Sequence, residues 1–120
     1  MEDIIKKGHL DRHITSKTKL RRRLYGCNMD AVSSYFTYDI AQKTINSTIQ
    51  KNQQKINKWR NQNEKKLVIY DKSQKALGFG YFKENENVIF CEDLKKFCIV
   101  LEKESEKSHD YRIVTSYLLR

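Results

Sequence analysis

The spacing of the hydrophobic residues changes near position 61 of this 120-residue chain. Before that point, apolar residues recur at the three-, four- and seven-residue intervals that place side chains on one helical face. These residues are Ala41, Ile45, Ile49, Ile56 and Trp59. The pattern predicts one long helix over residues 39–61, with Asp39 and Gln42 as a capping pair and Trp59 in the core.

After position 61, short apolar runs alternate with polar stretches, which is typical of strands joined by turns. The runs are LVIY, ALGFGYF, NVIF, FCIVL and YRIVTSYLL. They predict five antiparallel strands, and an order of helices followed by strands is typical of an α+β domain. We therefore expect one domain over residues 1–120, in which the long helix packs on one face of a curved sheet. Gly78 and Gly80 within one run predict a bulge or a close approach by another group.

The first part of the chain contains helix formers that are interrupted at residues 14–16. Residues 3–25 therefore predict two short helices, with Asp3 and Ser16 as caps. Residues 26–38 begin with Gly, Asn, Asp and Ser and end with three aromatic residues. This composition predicts a loop that ends in an aromatic plug.

Positive charge is concentrated near the N-terminus. The chain has 24 Lys and Arg against 15 Asp and Glu, a formal net charge of +9. Between positions 6 and 23 there are eight cations and one acidic residue, Asp11. The cations are Lys6, Lys7, Arg12, Lys17, Lys19, Arg21, Arg22 and Arg23. This segment predicts a polyanionic partner, and a solvated face that only keeps the domain soluble is the alternative.

Several classes of protein are excluded by the composition. No apolar run approaches the ~18 residues that span a bilayer, and the first thirteen residues lack the apolar stretch of a signal peptide, so we expect no membrane insertion by this chain. The chain has three cysteines, Cys27, Cys91 and Cys98, which is an odd number, and they show no close metal-ligand spacing. They predict neither a zinc site nor a disulfide framework, and we expect Cys91 and Cys98 to be small buried hydrophobes in a reducing cytosol.

A basic domain without a metal motif can cleave RNA, because RNA carries its own nucleophile, the 2′-hydroxyl. The protein must supply a base, an acid and a cation or fixed donors that face the phosphorane. Histidine suits proton transfer near neutral pH. His9 and His13 lie four residues apart within the basic segment, so a helix would place them on one face. We expect His109 to be an exposed turn residue, and ordinary surface or packing roles stay open for the other two.

Four segments in order carry a family resemblance: GHLDRH at 8–13, LRRRL at 20–24, YFTYDIAQKTINSTIQKNQQKINKW at 35–59 and YRIVTSYL at 111–118. Together they resemble the bacterial RNase A-like toxin domains of contact-dependent growth inhibition. The resemblance implies a fold like pancreatic ribonuclease without its disulfides, with N-terminal helices packed on a curved antiparallel sheet. It also implies a metal-independent endoribonuclease that needs no cofactor.

The resemblance implies a site built from His13, Arg23, Thr115 and Tyr117. His13 would transfer protons, Arg23 would stabilise the phosphorane, and Thr115 would position a phosphate or a pyrimidine edge. Tyr117 would donate a hydrogen bond or act as the second acid. Alternation along a strand also predicts that Thr115 and Tyr117 share one face, with Val114, Ser116 and Leu118 on the other.

Residues 14–18 depart from the usual family motif, so the register before Arg23 is open. Arg21 or Arg22 could therefore take the catalytic position, and His9 is a second candidate for proton transfer or phosphate contact. We expect Arg12, Lys17 and Lys19 to contact RNA.

The resemblance further implies a cognate immunity protein, and the basic charge favours an acidic one. We expect a monomer or a toxin–immunity heterodimer, at the C-terminus of a large secreted carrier, that cleaves RNA such as tRNA in the target-cell cytoplasm. Two other interpretations stay open. The first is a non-catalytic RNA- or DNA-binding module. The second is a metal pair made by His9 and His13, which lacks a zincin glutamate and a third ligand.

Overall fold

The computed structural model of the protein describes Lys17 and residues 30–120. These residues form two helices and six strands. In chain order they are β1 (Ala31–Tyr35), α1 (Tyr38–Lys51), α2 (Gln53–Arg60), β2 (Lys66–Lys72), β3 (Gly78–Glu84), β4 (Asn87–Leu94), β5 (Lys96–Lys103) and β6 (Tyr111–Leu119). The α+β class and the five strands after position 61 are confirmed. The helices predicted over residues 3–25 lie outside the described residues, except that Lys17 is helical.

The apolar face predicted for the long helix is buried, and Trp59 is in the core. The cap, however, is Thr37, whose side-chain oxygen accepts a hydrogen bond from the Ile40 N–H at 3.1 Å. Asp39 instead lies in the first turn and pairs with Lys43 at 3.0 Å. The prediction of an Asp39–Gln42 cap was therefore wrong, because Thr37 offers a capping hydroxyl two residues earlier.

The single helix predicted over residues 39–61 is divided at Asn52. The Asn52 N–H contacts the carbonyls of Thr48 and Ile49, and its side-chain amide donates to the Thr48 carbonyl at 2.8 Å. An asparagine side chain that competes for backbone carbonyls favours a helix end. The apolar stripe nevertheless continues into α2, where Ile56 and Trp59 are buried.

The strands form two three-stranded antiparallel sheets, ordered β1-β3-β4 and β2-β5-β6. The prediction of one curved sheet was wrong in this respect, and the predicted loop over residues 26–38 contains a sixth strand, β1. At the meeting of the sheets, the Ser33 hydroxyl donates to the Leu118 carbonyl at 3.0 Å and accepts from the Leu118 N–H at 3.1 Å. A side chain thus makes the contacts that a backbone ladder would make between β1 and β6.

Gly78 and Gly80 fulfil both expectations made for them. The pairing of β3 with β4 shifts register between these residues. A Cβ on Gly78 would collide with the Ser34 carbonyl oxygen and would lie 2.5 Å from Cδ1 of Leu118. Only a glycine lets β3 approach both β1 and β6 at this point.

Lys103 is a buried charge, with 1% of its surface exposed. Its ammonium group donates to the carbonyls of Gln62 at 2.7 Å, Glu106 at 3.1 Å and Trp59 at 3.4 Å, and it lies over the Trp59 ring. A cation at the C-terminal end of a helix satisfies carbonyls that have no partner within the helix. Lys103 therefore fastens the end of α2 to β5.

A chain of hydroxyl groups joins the two sheets within the core. Tyr35 Oη and Ser116 Oγ are 2.7 Å apart, and Ser116 Oγ donates to the Cys98 carbonyl at 2.8 Å. Since the serine proton is committed to that carbonyl, the tyrosine hydroxyl is the donor to Ser116. Burial raises the pKa of Tyr35 above its ordinary value, so the phenol stays protonated.

Neither of the two helices described by the structure has the length and hydrophobicity of a membrane span.

We expect Tyr35→Phe to lower the free energy of unfolding at pH 8 by about 1 kcal/mol, because one buried hydrogen bond is lost. Because the pKa of Tyr35 is raised in the folded protein, its stabilising contribution is complete below the ordinary tyrosine pKa of about 10 and declines as pH rises above it. Urea unfolding of both proteins at several pH values checks this. The difference between wild type and variant should shrink above pH 10, and a constant difference would contradict the argument.

Candidate active site

Thr115 and Tyr117 share one face of β6, as the strand alternation predicts. Ser116 and Leu118 are buried on the core side, whereas Thr115 and Tyr117 are half-buried on the opposite side. Here we call that side the outer face of the β2-β5-β6 sheet. It carries Val68, Tyr70 and Lys72 from β2, Lys96, Cys98 and Val100 from β5, and Thr115, Tyr117 and Leu119 from β6.

The prediction that Val114 shares a face with Ser116 and Leu118 was wrong. Val100 pairs with Thr115 and Leu101 pairs with Ile113, so Val114 is an extra residue in β6. Ile113 therefore joins the core, with 4% of its surface exposed. A bulge of this kind redirects the side chains on one side of it, and here it lies directly before Thr115.

Pairing across the sheet aligns the outer face in rows. Tyr117 is opposite Cys98, and Cys98 is opposite Tyr70. Thr115 lies in the neighbouring row, opposite Val100. Directly opposite side chains on one face are close enough to interact, so Cys98 links the two tyrosines.

The Tyr117 hydroxyl forms a hydrogen bond with the Cys98 thiol. Four causes raise the pKa of Tyr117 to about 12, and this hydrogen bond is the largest of them. The others are the negative charge that Cys98 gains when it ionises at high pH, partial burial and the proximity of Tyr70. Burial also raises the pKa of the Cys98 thiol. Both groups are therefore neutral near pH 7, and the Tyr117 hydroxyl is suited to donate a hydrogen bond rather than to remove a proton.

Most of the predicted site lies outside the described residues. This holds for His13 and Arg23, and equally for His9, Arg12, Lys19, Arg21 and Arg22. His109 is described, and it is exposed between β5 and β6, as expected for a turn residue. Its carbonyl accepts a hydrogen bond from Arg60 Nε at 2.7 Å.

Lys17 contacts the other sheet. Its ammonium nitrogen lies 4.6 Å from the centre of the Phe90 ring, on β4. Phe90 packs against Tyr81, with ring centres 5.0 Å apart. Tyr81 lies on the face of β3 opposite Phe82 and packs in a second, smaller hydrophobic cluster around buried Val32, so Lys17 lies beside that cluster.

The expectation that Cys98 is a small buried residue is confirmed, whereas Cys91, for which the same was expected, is only half-buried. The hydrogen bond of Cys98 to Tyr117 was not predicted, because it depends on the β5–β6 register. In residues 30–120 and at Lys17, no group of three or more His, Cys, Asp or Glu side chains is arranged to hold a metal ion.

Comparison with known proteins identifies the family of the chain. The family model of the bacterial CdiA-CT RNase A domain matches residues 8–117. The chain belongs to this family. The resemblance found in the sequence motifs is thereby confirmed, and this CdiA-CT RNase A domain carries both Thr115 and Tyr117 within the matched region.

A solved structure agrees with the fold. The chain is similar to one in the crystal structure of a CdiA-CT/CdiI complex from Y. kristensenii 33638, with a TM-score of 0.77 and 22% sequence identity. The similarity covers 92% of this chain and 97% of that chain. At this identity the likeness establishes the arrangement of helices and strands. No curated protein matches the chain.

We expect Cys98→Ala to lower the pKa of Tyr117 from about 12 toward the ordinary value of about 10, because the hydrogen bond to the thiol is the largest cause of the shift. Carbon-13 NMR of labelled tyrosine near pH 11, assigned with Tyr117→Phe, measures the ionised fraction. Cys91→Ala, at the half-buried cysteine of β4, should leave Tyr117 protonated. Equal ionisation in the wild type and Cys98→Ala would disprove this role of the thiol.

Proposed function

We propose that this CdiA-CT RNase A domain is a metal-independent endoribonuclease toxin, formed as one domain by residues 1–120. The 2′-oxygen of RNA attacks the adjacent phosphorus, and the bond from phosphorus to the 5′-oxygen breaks. The products are a 2′,3′-cyclic phosphate and a free 5′-hydroxyl. The proposal is carried by Thr115 and Tyr117, which lie side by side on the outer face within the region matched by the family.

His13 is assigned the proton transfers, because the ordinary histidine pKa of about 6.5 is matched to neutral pH. Tyr117 was considered as a hydrogen-bond donor or as the second acid. Its pKa of about 12 favours the first role, donation to a charged phosphate oxygen. Thr115, one row away, positions a phosphate or a pyrimidine edge. If the second proton transfer also uses an imidazole, His9 is the candidate.

Arg23 is assigned to the phosphorane, whose equatorial oxygens match the planar donor pattern of a guanidinium group. Arg21 and Arg22 stay alternatives because residues 14–18 depart from the family motif. Arg12, Lys17 and Lys19 supply contacts to RNA phosphates, and Lys17 is the member of this set that the structure describes.

We further propose that a cognate immunity protein binds the domain, since the similar crystal structure is that of a CdiA-CT/CdiI complex. A net charge of +9 favours an acidic partner. The domain would be a monomer or a heterodimer with that partner. It would be carried at the C-terminus of a larger secreted protein and would act on RNA, such as tRNA, in the target-cell cytoplasm.

His13→Ala is expected to lower the rate of RNA cleavage in EDTA by about 10²- to 10⁴-fold, the range for removal of a general acid or base. Tyr117→Phe should cost about 10²-fold, because one donor to developing charge is lost. His109→Ala is the matched control and should cleave like the wild type. Gel assays with end-group analysis check these outcomes, with circular dichroism as the test of folding. Unbroken RNA that merely shifts in mobility would favour a binding module instead.

The arginine that faces the phosphorane is identified by single lysine replacements. We expect Arg23→Lys to lose about 10²-fold in kcat, since an ammonium group cannot make the bidentate contact. Arg21→Lys and Arg22→Lys keep the charge and should retain near wild-type kcat. A loss confined to one of these two variants would instead place the catalytic guanidinium there.

A further inference from the structure

Two lysines lie directly opposite each other on the outer face, where like charges destabilise a sheet. Lys72 of β2 pairs with Lys96 of β5, and both are exposed. Like charges at directly opposite positions repel, so this arrangement does not stabilise the protein when no anion is bound. The ion pairs among the described residues include neither lysine, and Asp71, next to Lys72, pairs with Lys51 instead. An anion bound between the two ammonium groups would remove the repulsion.

Tyr70 adjoins this lysine pair and is the most exposed of the large hydrophobic residues on the described surface. It is 67% exposed and lies on the same face of β2 as Lys72, two residues away. Two residues along a strand span about 7 Å. A phenol ring beside paired cations offers a flat surface for a nucleobase and positive charge for the phosphate attached to it.

This aromatic and basic group is continuous with the candidate active site. Tyr70, Cys98 and Tyr117 form one row across β2, β5 and β6, so two strand spacings, about 10 Å, separate the backbones of the two tyrosines. The effect of Tyr70 on the pKa of Tyr117 agrees with this proximity. Lys72 and Lys96 lie in the next row, which ends at Leu119.

We propose that Tyr70, Lys72 and Lys96 form a subsite for single-stranded RNA, in which the base of a nucleotide beyond the two that flank the cleaved bond stacks on Tyr70 and its phosphate binds between the two lysines. This proposal rests on the ribonuclease function proposed above. The subsite contributes binding along the strand and takes no part in proton transfer. It therefore acts on long RNA and not on a dinucleotide, which has no phosphate beyond the cleaved one.

An acidic protein could also bind paired lysines, but the ring of Tyr70 and the row that leads to Tyr117 favour RNA. The stacking surface is directed to the same face as Thr115 and Tyr117, where a strand that enters the active site must pass. Protein binding without any change in RNA binding is thus the competing outcome of the test.

The test compares cleavage of a dinucleotide with cleavage of a single-stranded RNA of about ten nucleotides, in EDTA. Tyr70→Ala should lower kcat/KM for the longer RNA by about tenfold, the effect of losing one stacked base. Lys72→Gln with Lys96→Gln should lower it as well. Both variants should cleave the dinucleotide like the wild type. Tyr70→Phe keeps the ring and should restore activity on the longer RNA.

Binding is measured by fluorescence anisotropy with the same ten-nucleotide sequence carrying a 2′-deoxy residue at the cleavage position, which prevents cleavage. Loss of the lysine contacts should reduce the slope of log affinity against log salt by about 0.7 for each phosphate contact removed. Lys55→Gln with Lys58→Gln is the matched control, since it makes the same change in charge on the exposed side of α2. It should keep the wild-type dinucleotide-to-decamer ratio.

Two failures are distinguishable. If the wild type cleaves both RNAs but Tyr70→Ala and the Lys72/Lys96 variant match it or match the Lys55/Lys58 control, the subsite is disproved and the ribonuclease function stands. The same holds if these variants weaken only the binding of an acidic protein. If the wild type neither cleaves nor binds either RNA, both the function and the subsite are overturned.

Discussion

The meeting of β1 with β6 is the constraint on which the rest of the structure depends. Two separate sheets come together there through side chains, with Ser33 serving both backbone groups of Leu118 and Tyr35 donating to Ser116. Gly78 permits this approach, because any side chain would collide with β1. Since Ser116 lies between Thr115 and Tyr117, the junction holds the inner side of the same strand whose outer side carries the candidate site. Packing and proposed chemistry thus occupy opposite faces of β6.

The outer face derives its character from neutral polar groups beside positive charge. The Cys98 thiol is fully buried and the Tyr117 hydroxyl keeps its proton, so neither adds negative charge where a phosphate would bind. Lys72 and Lys96 increase the positive potential at the far side of the sheet. A surface of this kind favours a phosphate backbone through charge, and hydroxyl donors then determine its position. This division suits an RNA-cleaving domain, in which separate groups must transfer the protons.

Much of the fold follows from local patterns in the sequence. Short apolar runs separated by polar stretches located β2 through β6, and the helical stripe from Ala41 to Trp59 located the apolar face of the helices. Local patterns failed where a tertiary contact replaces an apolar signal. β1 contains Ser33 and Ser34, which read as loop residues, yet both are buried because their hydroxyl groups have partners. Similarly, Asn52 ends α1 through hydrogen bonds that no hydrophobic period reveals.

The sequence by itself determined the family, the α+β class, the five later strands and the shared face of Thr115 and Tyr117, because each depends on motif order or on the period of a single strand. Only the tertiary structure decided what lies opposite those residues. The rows that join Tyr70, Cys98 and Tyr117, and that place Lys72 beside Lys96, depend on the register between strands distant in sequence. Register is set by which faces bury against the core and by bulges such as the one at Val114, so no single segment contains that information.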